Sequence, residues 1–214
     1  MELTWYGLSC FRMTQRGSAT VVTDPYGDVL GLPELKIRGD IVTISHDAPG
    51  HNNAAAVKGA KRLLTGPGEY EIGGVFITGL AIKPKGNEGA KAKRNTMYVF
   101  DYDGVTIAHL GDLYYVPSRA QIENLGAVDI ALVPVGDGGA LTPSQAAEVI
   151  SLIEPSIVVP MYYSTGKESV ELGKVDRFFK EMGLSEVESM PSLKATSGSL
   201  SEETQVVLLN PPAS

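Results

Sequence analysis

Asp40-Ile41-Val42-Thr43-Ile44-Ser45-His46-Asp47-Ala48-Pro49-Gly50-His51 is the stretch on which the reading of the fold turns. Its first half is an apolar, largely β-branched run, and its second half is a polar loop opened by a histidine. A buried strand that delivers side chains at its carboxyl end has this form. The chain holds three histidines in all, His46, His51 and His109, so this one loop carries two of them.

Working outward toward the N-terminus, Leu3–Tyr6, Phe11–Thr14 and Ala19–Thr23 read as short strands separated at Gly7 and Arg16-Gly17. Downstream, Asn53–Lys61 reads as a short helix. Glu69–Ile72 and Val75–Ile82 read as strands joined at Gly73-Gly74, and Lys83–Asn95 as a surface loop. Asp103-Gly104 is a hairpin turn between strands Thr96–Tyr102 and Val105–His109.

The second half alternates strand and helix. Ser118 with Gln121 makes a capping box for a helix ending near Gly126. Asp129–Pro134 and Ser156–Met161 are buried strands. Thr142, Pro143 and Gln145 supply an N-cap, an N1 proline and a box partner. The helix they open has Ala146, Val149, Ile150 and Ile153 on one face. Val170–Met182 reads as another amphipathic helix and Leu193–Leu209 as a closing hairpin. Both halves run meander and then β-α, with apolar strands emptying into loops at His46, Gly136 and Tyr162. Stacked face to face, they make an α/β protein of four layers, an αββα sandwich, as one domain over residues 1–214. Its site edge is expected along the loops at 46–53, 109–115, 136–141 and 162–166.

Composition narrows the classes of function. The chain has 214 residues, is 43% hydrophobic and 20% charged, and carries a formal net charge of -7. The nearest basic cluster, Lys83 to Arg94, is diluted by glycine and Glu88, which argues against nucleic acid or an anionic membrane as partner. No apolar run approaches the roughly 20 residues of a membrane helix. No signal peptide is visible after Met1, and the single cysteine, Cys10, suits a reducing compartment, so the expectation is a cytoplasmic protein.

The residues available for chemistry are few. His109-Leu110-Gly111-Asp112 places a carboxylate at the mouth of a sheet. Two imidazoles and one carboxylate can hold a divalent metal with open positions. The same histidines can instead hydrogen-bond backbone groups in tight loops, and spacing leaves both readings open. Gly136-Asp137-Gly138-Gly139 precedes a capped helix but lacks a phosphate-loop ending, and a plain loop is the expectation.

Several stretches together resemble the metallo-β-lactamase superfamily, and in particular the bacterial branch of Zn-dependent hydrolases of the β-lactamase fold. They are Trp5-Tyr6-Gly7 with Ser9-Cys10-Phe11, Thr23-Asp24-Pro25-Tyr26, Asp40 to His46, and Gly66 to Glu71. His109-Leu110-Gly111-Asp112-Leu113, Val133-Pro134-Val135-Gly136 and Val159-Pro160-Met161-Tyr162-Tyr163 complete them. The resemblance implies a metal motif His-x-His-x-Asp-His, which here reads His46-Asp47-Ala48-Pro49-Gly50-His51. Ala48 and Gly50 therefore stand at ligand positions. Asp112 matches the bridging carboxylate, and Tyr162 stands where a last histidine is expected. Leu8 stands where close relatives often carry histidine, and the histidine expected after Ile82 has no counterpart.

The resemblance thus leaves His46, His51 and Asp112 as ligands, too few for two ions. Two expectations follow. In one, these three hold a single zinc, manganese or iron, helped by Asp47, His109 or Tyr162, and a metal-activated water attacks an ester-, amide- or phosphoester-like bond of a small substrate. In the other, no metal is bound, and the fold is an inactive ligand-binding or assembly module whose histidines are held by Asp24 or Asp112. Asp24 is expected to brace the His46 loop in either case. Self-association into a homo-oligomer stays open.

Overall fold

The computed structural model describes residues 1–83 and 94–212. Two mixed sheets face each other and are flanked by helices, the αββα sandwich expected from the sequence. The first sheet runs, in spatial order, Leu193–Lys194, Glu2–Gly7, Cys10–Thr14, Val21–Thr23, Ile41–Thr43 and Arg62–Leu64. The second runs Gln205–Val206, Ile157–Met161, Ile130–Pro134, Val105–His109, Asn95–Tyr102, Val75–Ile82 and Gly68–Ile72.

Each sheet is antiparallel where hairpins build it and parallel where crossovers do. Val21–Thr23, Ile41–Thr43 and Arg62–Leu64 are mutually parallel. So are Val105–His109, Ile130–Pro134 and Ile157–Met161. Parallel strands bring their carboxyl ends to one edge, where an open α/β sheet presents its ligand crevice. Asp24, His46, Asp112 and Tyr162 all follow such ends.

Apolar side chains from both sheets meet between them. Leu3, Trp5, Phe11, Met13 and Val21 of the first sheet are buried, as are Tyr98, Phe100, Ile107 and Leu132 of the second. Two tyrosines tie the layers across that core. The Tyr98 hydroxyl lies 3.1 Å from Leu64 O and 3.3 Å from Ile44 O, and Tyr102 donates to Ala19 O at 2.9 Å. Asp103 and Gly104 both have left-handed backbones, φ 53° and 80°, as the two-residue turn between those strands requires.

Helix Pro143–Ile153 is capped as its sequence dictates: Gln145 N donates to Thr142 Oγ1 at 3.3 Å and Thr142 N to Gln145 Oε1 at 3.0 Å. It buries Ala146, Val149 and Ile150, with Ile153 packed against the same core.

Several expectations need correction. Asn53–Lys61 is not a helix. One 3-10 turn, Ala54–Ala56, passes into a short strand, Val57–Lys58, paired parallel with Ile37–Arg38. Asn53 makes no side-chain cap there; its amide donates to Tyr26 O at 3.2 Å, and Gly59 at φ 86° ends the segment.

The helix expected over Val170–Met182 is confined to Asp176–Glu181, because Gly173 N donates to Gly136 O at 2.7 Å and so leaves the helical pattern. Leu193–Leu209 is no hairpin: Leu193–Lys194 joins the first sheet, Gln205–Val206 the second, and Leu208–Leu209 pairs with Ser189–Met190. Of the surface loop expected at Lys83–Asn95, residues 84–93 lie outside the described residues, and Asn95 opens a strand.

Candidate metal centre

Asp24 organises the site. It follows strand Val21–Thr23, is fully buried, and has a left-handed backbone at φ 40° held by its amide's bond to Thr43 O at 2.9 Å. Its Oδ1 accepts from Ser45 N at 2.7 Å. Its Oδ2 accepts from Ser45 Oγ at 2.6 Å and from His51 Nδ1 at 2.9 Å. Burial alone would raise the carboxyl pKa. The hydrogen bonds from His51 and Ser45, with the electrostatic pull of His51 and His109, outweigh it and leave the pKa below its ordinary value.

These bonds place a hydrogen on Nδ1 of each imidazole. Asp24 Oδ2 can only accept, so His51 carries a hydrogen on Nδ1. Ser45 uses its hydroxyl hydrogen on Asp24, so at 3.0 Å it accepts from His46 Nδ1–H, which turns His46 Nε2 toward Asp112. One buried carboxylate therefore orients both imidazoles, directly and through a hydroxyl.

Asp112 arrives from the other sheet. Gly111 makes the turn at φ 61°, where a Cβ would lie 2.6 Å from Ser45 Cβ, so only glycine lets the two loops approach. Asn95 clamps this loop, donating to Leu110 O at 2.9 Å and accepting from Asp112 N at 3.0 Å. His46 and Asp112 then meet, Nε2 to Oδ2, at 3.4 Å. A proton on Nε2 or a metal cation between the two atoms satisfies this pair. Two ligands about 2.1 Å from a tetrahedral ion stand roughly 3.4 Å apart. His46, His51 and Asp112 each offer one ligand atom, all within 4.8 Å of one another. This is a partial, three-residue metal cluster consistent with a single divalent ion.

The remaining candidates separate clearly. Asp47 is exposed and its Oδ1 accepts from Asn52 Nδ2 at 2.6 Å, outside the cluster. His109 is fully buried, with both ring nitrogens on backbone: Nδ1 accepts from Gly111 N at 3.2 Å and Nε2 donates to Ser9 O at 2.9 Å. Burial lowers its pKa, although Asp24 pulls the other way. It supports the Asp112 turn and has no nitrogen left for a metal.

Tyr162, at φ 53°, donates its amide to Leu8 O at 3.0 Å, and its ring lies 5.5 Å from that of His51. Burial, and then the charge of Asp112, push its phenol up to about 12. The phenol stays protonated at neutral pH, a hydrogen-bond donor at the cleft.

The cleft over these residues encloses about 430 Å³, walled by Leu8, Leu30, Ala48, Pro49, Gly50 and Val170 beside the polar groups. The loop at 136–141, expected at this edge, does not line it. A Cβ on Gly136 would overlap Tyr162 O, and Gly173 N donates to Gly136 O, while Gly138 and Gly139 are exposed. Sequence reasoning also passed over Ser45, Asn95, Leu30 and Val170. Ser45 had a visible signal, a hydroxyl next to His46 at a strand end. The other three had none.

Two sheets whose parallel strands end at one edge and a reduced His-His-Asp cluster define a divergent metallo-hydrolase-superfamily protein with an incomplete metal site. A family model of the β-lactamase superfamily domain matches residues 2–162, and the chain belongs to that superfamily. It is 32% identical over 183 residues to a UPF0173 protein of Pyrococcus abyssi, covering 77% of this chain and 84% of the relative. It is 28% identical over 200 residues to a UPF0173 metal-dependent hydrolase of Lysinibacillus sphaericus, covering 77% and 86%. Among solved structures it is similar to one from Thermotoga maritima described as a candidate Zn-dependent hydrolase of the metallo-β-lactamase superfamily. That likeness has a TM-score of 0.79 and 33% identity over 97% of each chain.

Proposed function

We propose that the chain is a mononuclear metal-dependent hydrolase of a small substrate, holding one zinc, manganese or iron ion on His46, His51 and Asp112. The observation that carries this reading is the hydrogen-bonding geometry around the two imidazoles. Asp24 and Ser45 accept at Nδ1 of His51 and His46, and His46 Nε2 faces buried Asp112 at 3.4 Å, in a cluster whose three ligand atoms lie within 4.8 Å of one another. Three protein ligands with an open position are what a catalytic zinc uses. A bound ion supplies a Lewis acid and acidifies water in that open position.

The chain's own residues do the rest. Asp24 keeps the ligands oriented and their basicity high, and Tyr162 offers its phenol hydrogen to a substrate oxygen that gains charge. Leu8, Leu30 and Val170 give the cleft an apolar wall. One apolar core running from Leu3 to Leu209 supports a single domain over 1–214. Cys10, buried and with its thiol pushed well up by burial, is compatible with a reducing compartment, and we place the protein in the cytoplasm. Among the described residues no helix is long and apolar enough to cross a membrane.

Elemental analysis of protein purified without chelator tests the reading. One ion per chain is expected, falling below a tenth in His51→Ala while circular dichroism shows that variant folded. A folded wild-type chain that takes up no zinc, manganese or ferrous iron from excess refutes it and favours the metal-free ligand-binding or assembly module.

A further inference from the structure

A second hollow lies beside the metal cleft and shares no lining residue with it. Three segments contribute to both. Gly7, Leu32 and Lys167 line the second hollow, while their near neighbours Leu8, Leu30 and Val170 line the cleft. Two of these segments are held together by backbone: Ser169 N donates to Leu30 O at 2.8 Å, and a Cβ on Gly31 would lie 3.3 Å from Lys167 O. The tail adds Pro211 and Pro212, anchored by Asn210, whose N donates to Met190 O at 2.9 Å and whose Nδ2 donates to Ser189 Oγ at 2.8 Å.

The interior of this hollow is apolar and aromatic. Tyr26, Leu32 and Leu35 are buried and Tyr6 is half-buried. Tyr26 is fixed in place, its hydroxyl donating to Tyr6 O at 3.0 Å. Gly7, at φ 112°, adds bare backbone, where a Cβ would touch Tyr26 Cε1 at 3.7 Å and Leu32 Cδ1 at 3.8 Å. With every lining side chain in place the hollow encloses about 240 Å³. Pockets for drug-sized ligands start at roughly 300 Å³, so this one suits a single ring or a short alkyl chain.

Charge is the second observation. Lys36 and Lys167 both line the hollow and both are exposed, which puts two ammonium groups at its mouth. One carboxylate, Glu34, lines it with them. Glu168, the acid next to Lys167, is engaged elsewhere: Thr165 N donates to its Oε2 at 3.0 Å and the Thr165 hydroxyl donates to its Oε1. That turn, with Gly166 at φ 82°, carries Lys167. Two ammonium groups against one carboxylate leave a single positive charge unbalanced at the mouth, which one negative charge on a ligand would match.

We infer that this hollow is a second ligand site, apart from the metal cleft, and that it takes a small apolar monocarboxylate. The ring or alkyl chain lies against Tyr6, Tyr26, Leu32 and Leu35, over the bare backbone of Gly7. The carboxylate stays at the mouth with Lys36 and Lys167 and keeps part of its hydration. Both halves of the ligand are needed. An apolar body without charge gains only the hydrophobic contact, and a charge without a body gains only a screened surface pair. The site does not depend on whether His46, His51 and Asp112 hold an ion.

Calorimetric titration of the purified chain with 3-phenylpropionate, hexanoate, 3-phenylpropionamide and acetate tests the assignment. The first two are expected to bind with a Kd of about 0.1–1 mM, the range open to ligands of roughly ten non-hydrogen atoms. The amide is expected to bind about fivefold more weakly than its acid. Acetate is expected to show no saturation up to about 10 mM. Lys36 and Lys167 are exposed and lie outside strands and helices. The double variant Lys36→Ala with Lys167→Ala is therefore expected to fold, to bind 3-phenylpropionate no better than the amide, and to leave amide binding unchanged. Backbone amide NMR shifts on adding 3-phenylpropionate are expected to be largest at Gly7, Leu32 and Leu35.

Saturable binding by neither acid, or shifts centred on His46 and Asp112, overturns the site. Equal affinity for 3-phenylpropionate and its amide, or an acid affinity unchanged in the double variant, overturns the carboxylate assignment. None of these results touches the metal reading, which elemental analysis decides separately.

Discussion

Asp24→Asn isolates the hydrogen bonding on which the centre depends. Asparagine matches aspartate in shape and tolerates a positive φ, so the backbone at 40° is undisturbed. The amide NH₂ must replace one of two oxygens, and both face donors. If it replaces Oδ1, it points at Ser45 N–H, now 2.7 Å away, and a buried amide loses its acceptor. If it replaces Oδ2, it meets both the Ser45 hydroxyl and His51 Nδ1, and His51 has to move its hydrogen to Nε2 to accept.

An orphaned buried donor costs roughly 1–3 kcal/mol, and the surviving bonds lose their ionic assistance, so urea unfolding of metal-free protein is expected to show a loss of about 3 kcal/mol. Metal affinity, read by competition with a chromophoric chelator, is expected to fall about 10- to 100-fold. A variant within roughly 0.5 kcal/mol of wild type, with unchanged affinity, would refute the claim that Asp24 orients the imidazoles.

Other expectations follow from single contacts. Gly136→Ala places a Cβ into the Tyr162 carbonyl, a backbone overlap expected to cost about 3 kcal/mol in urea unfolding and to displace Tyr162 from the cleft. Tyr98→Phe removes the hydroxyl that bridges the sheets to Ile44 O and Leu64 O, with an expected loss of about 1–2 kcal/mol and little change in metal content. Stability should fall with acidity in two windows. His109 has a folded pKa below its ordinary 6.5, so its contribution is full above that value and is lost as pH falls from there through the folded pKa. Asp24 acts likewise below the ordinary 3.8, and chemical unfolding across pH should show Asp24→Asn losing only the more acidic window.

The elements with a local cause were legible in the sequence. Capping boxes at Thr142 and Ser118, the Asp103-Gly104 turn and the apolar run before His46 each specify their geometry within a few residues. Those elements, in that order, already imply two sheets with a polar loop edge. Where the sequence reading failed, a distant backbone partner had outbid the local preference. Gly136 O captures the amide of Gly173 and cuts a helix, Ile37–Arg38 draws Val57–Lys58 into a strand, and the tail's short strands go to different sheets.

The same division holds at the site. The sequence by itself pointed to His46, His51 and Asp112 as what survives of the motif, fewer side chains than a pair of ions uses. Only the tertiary structure decided what those three can do. How each imidazole faces the site depends on where its Nδ1 hydrogen goes. That is set by Asp24, 27 positions from His51 in the chain but 2.9 Å away in space. Leu30 and Val170 likewise come to line one cleft through a contact that no periodicity signals, the bond from Ser169 N to Leu30 O.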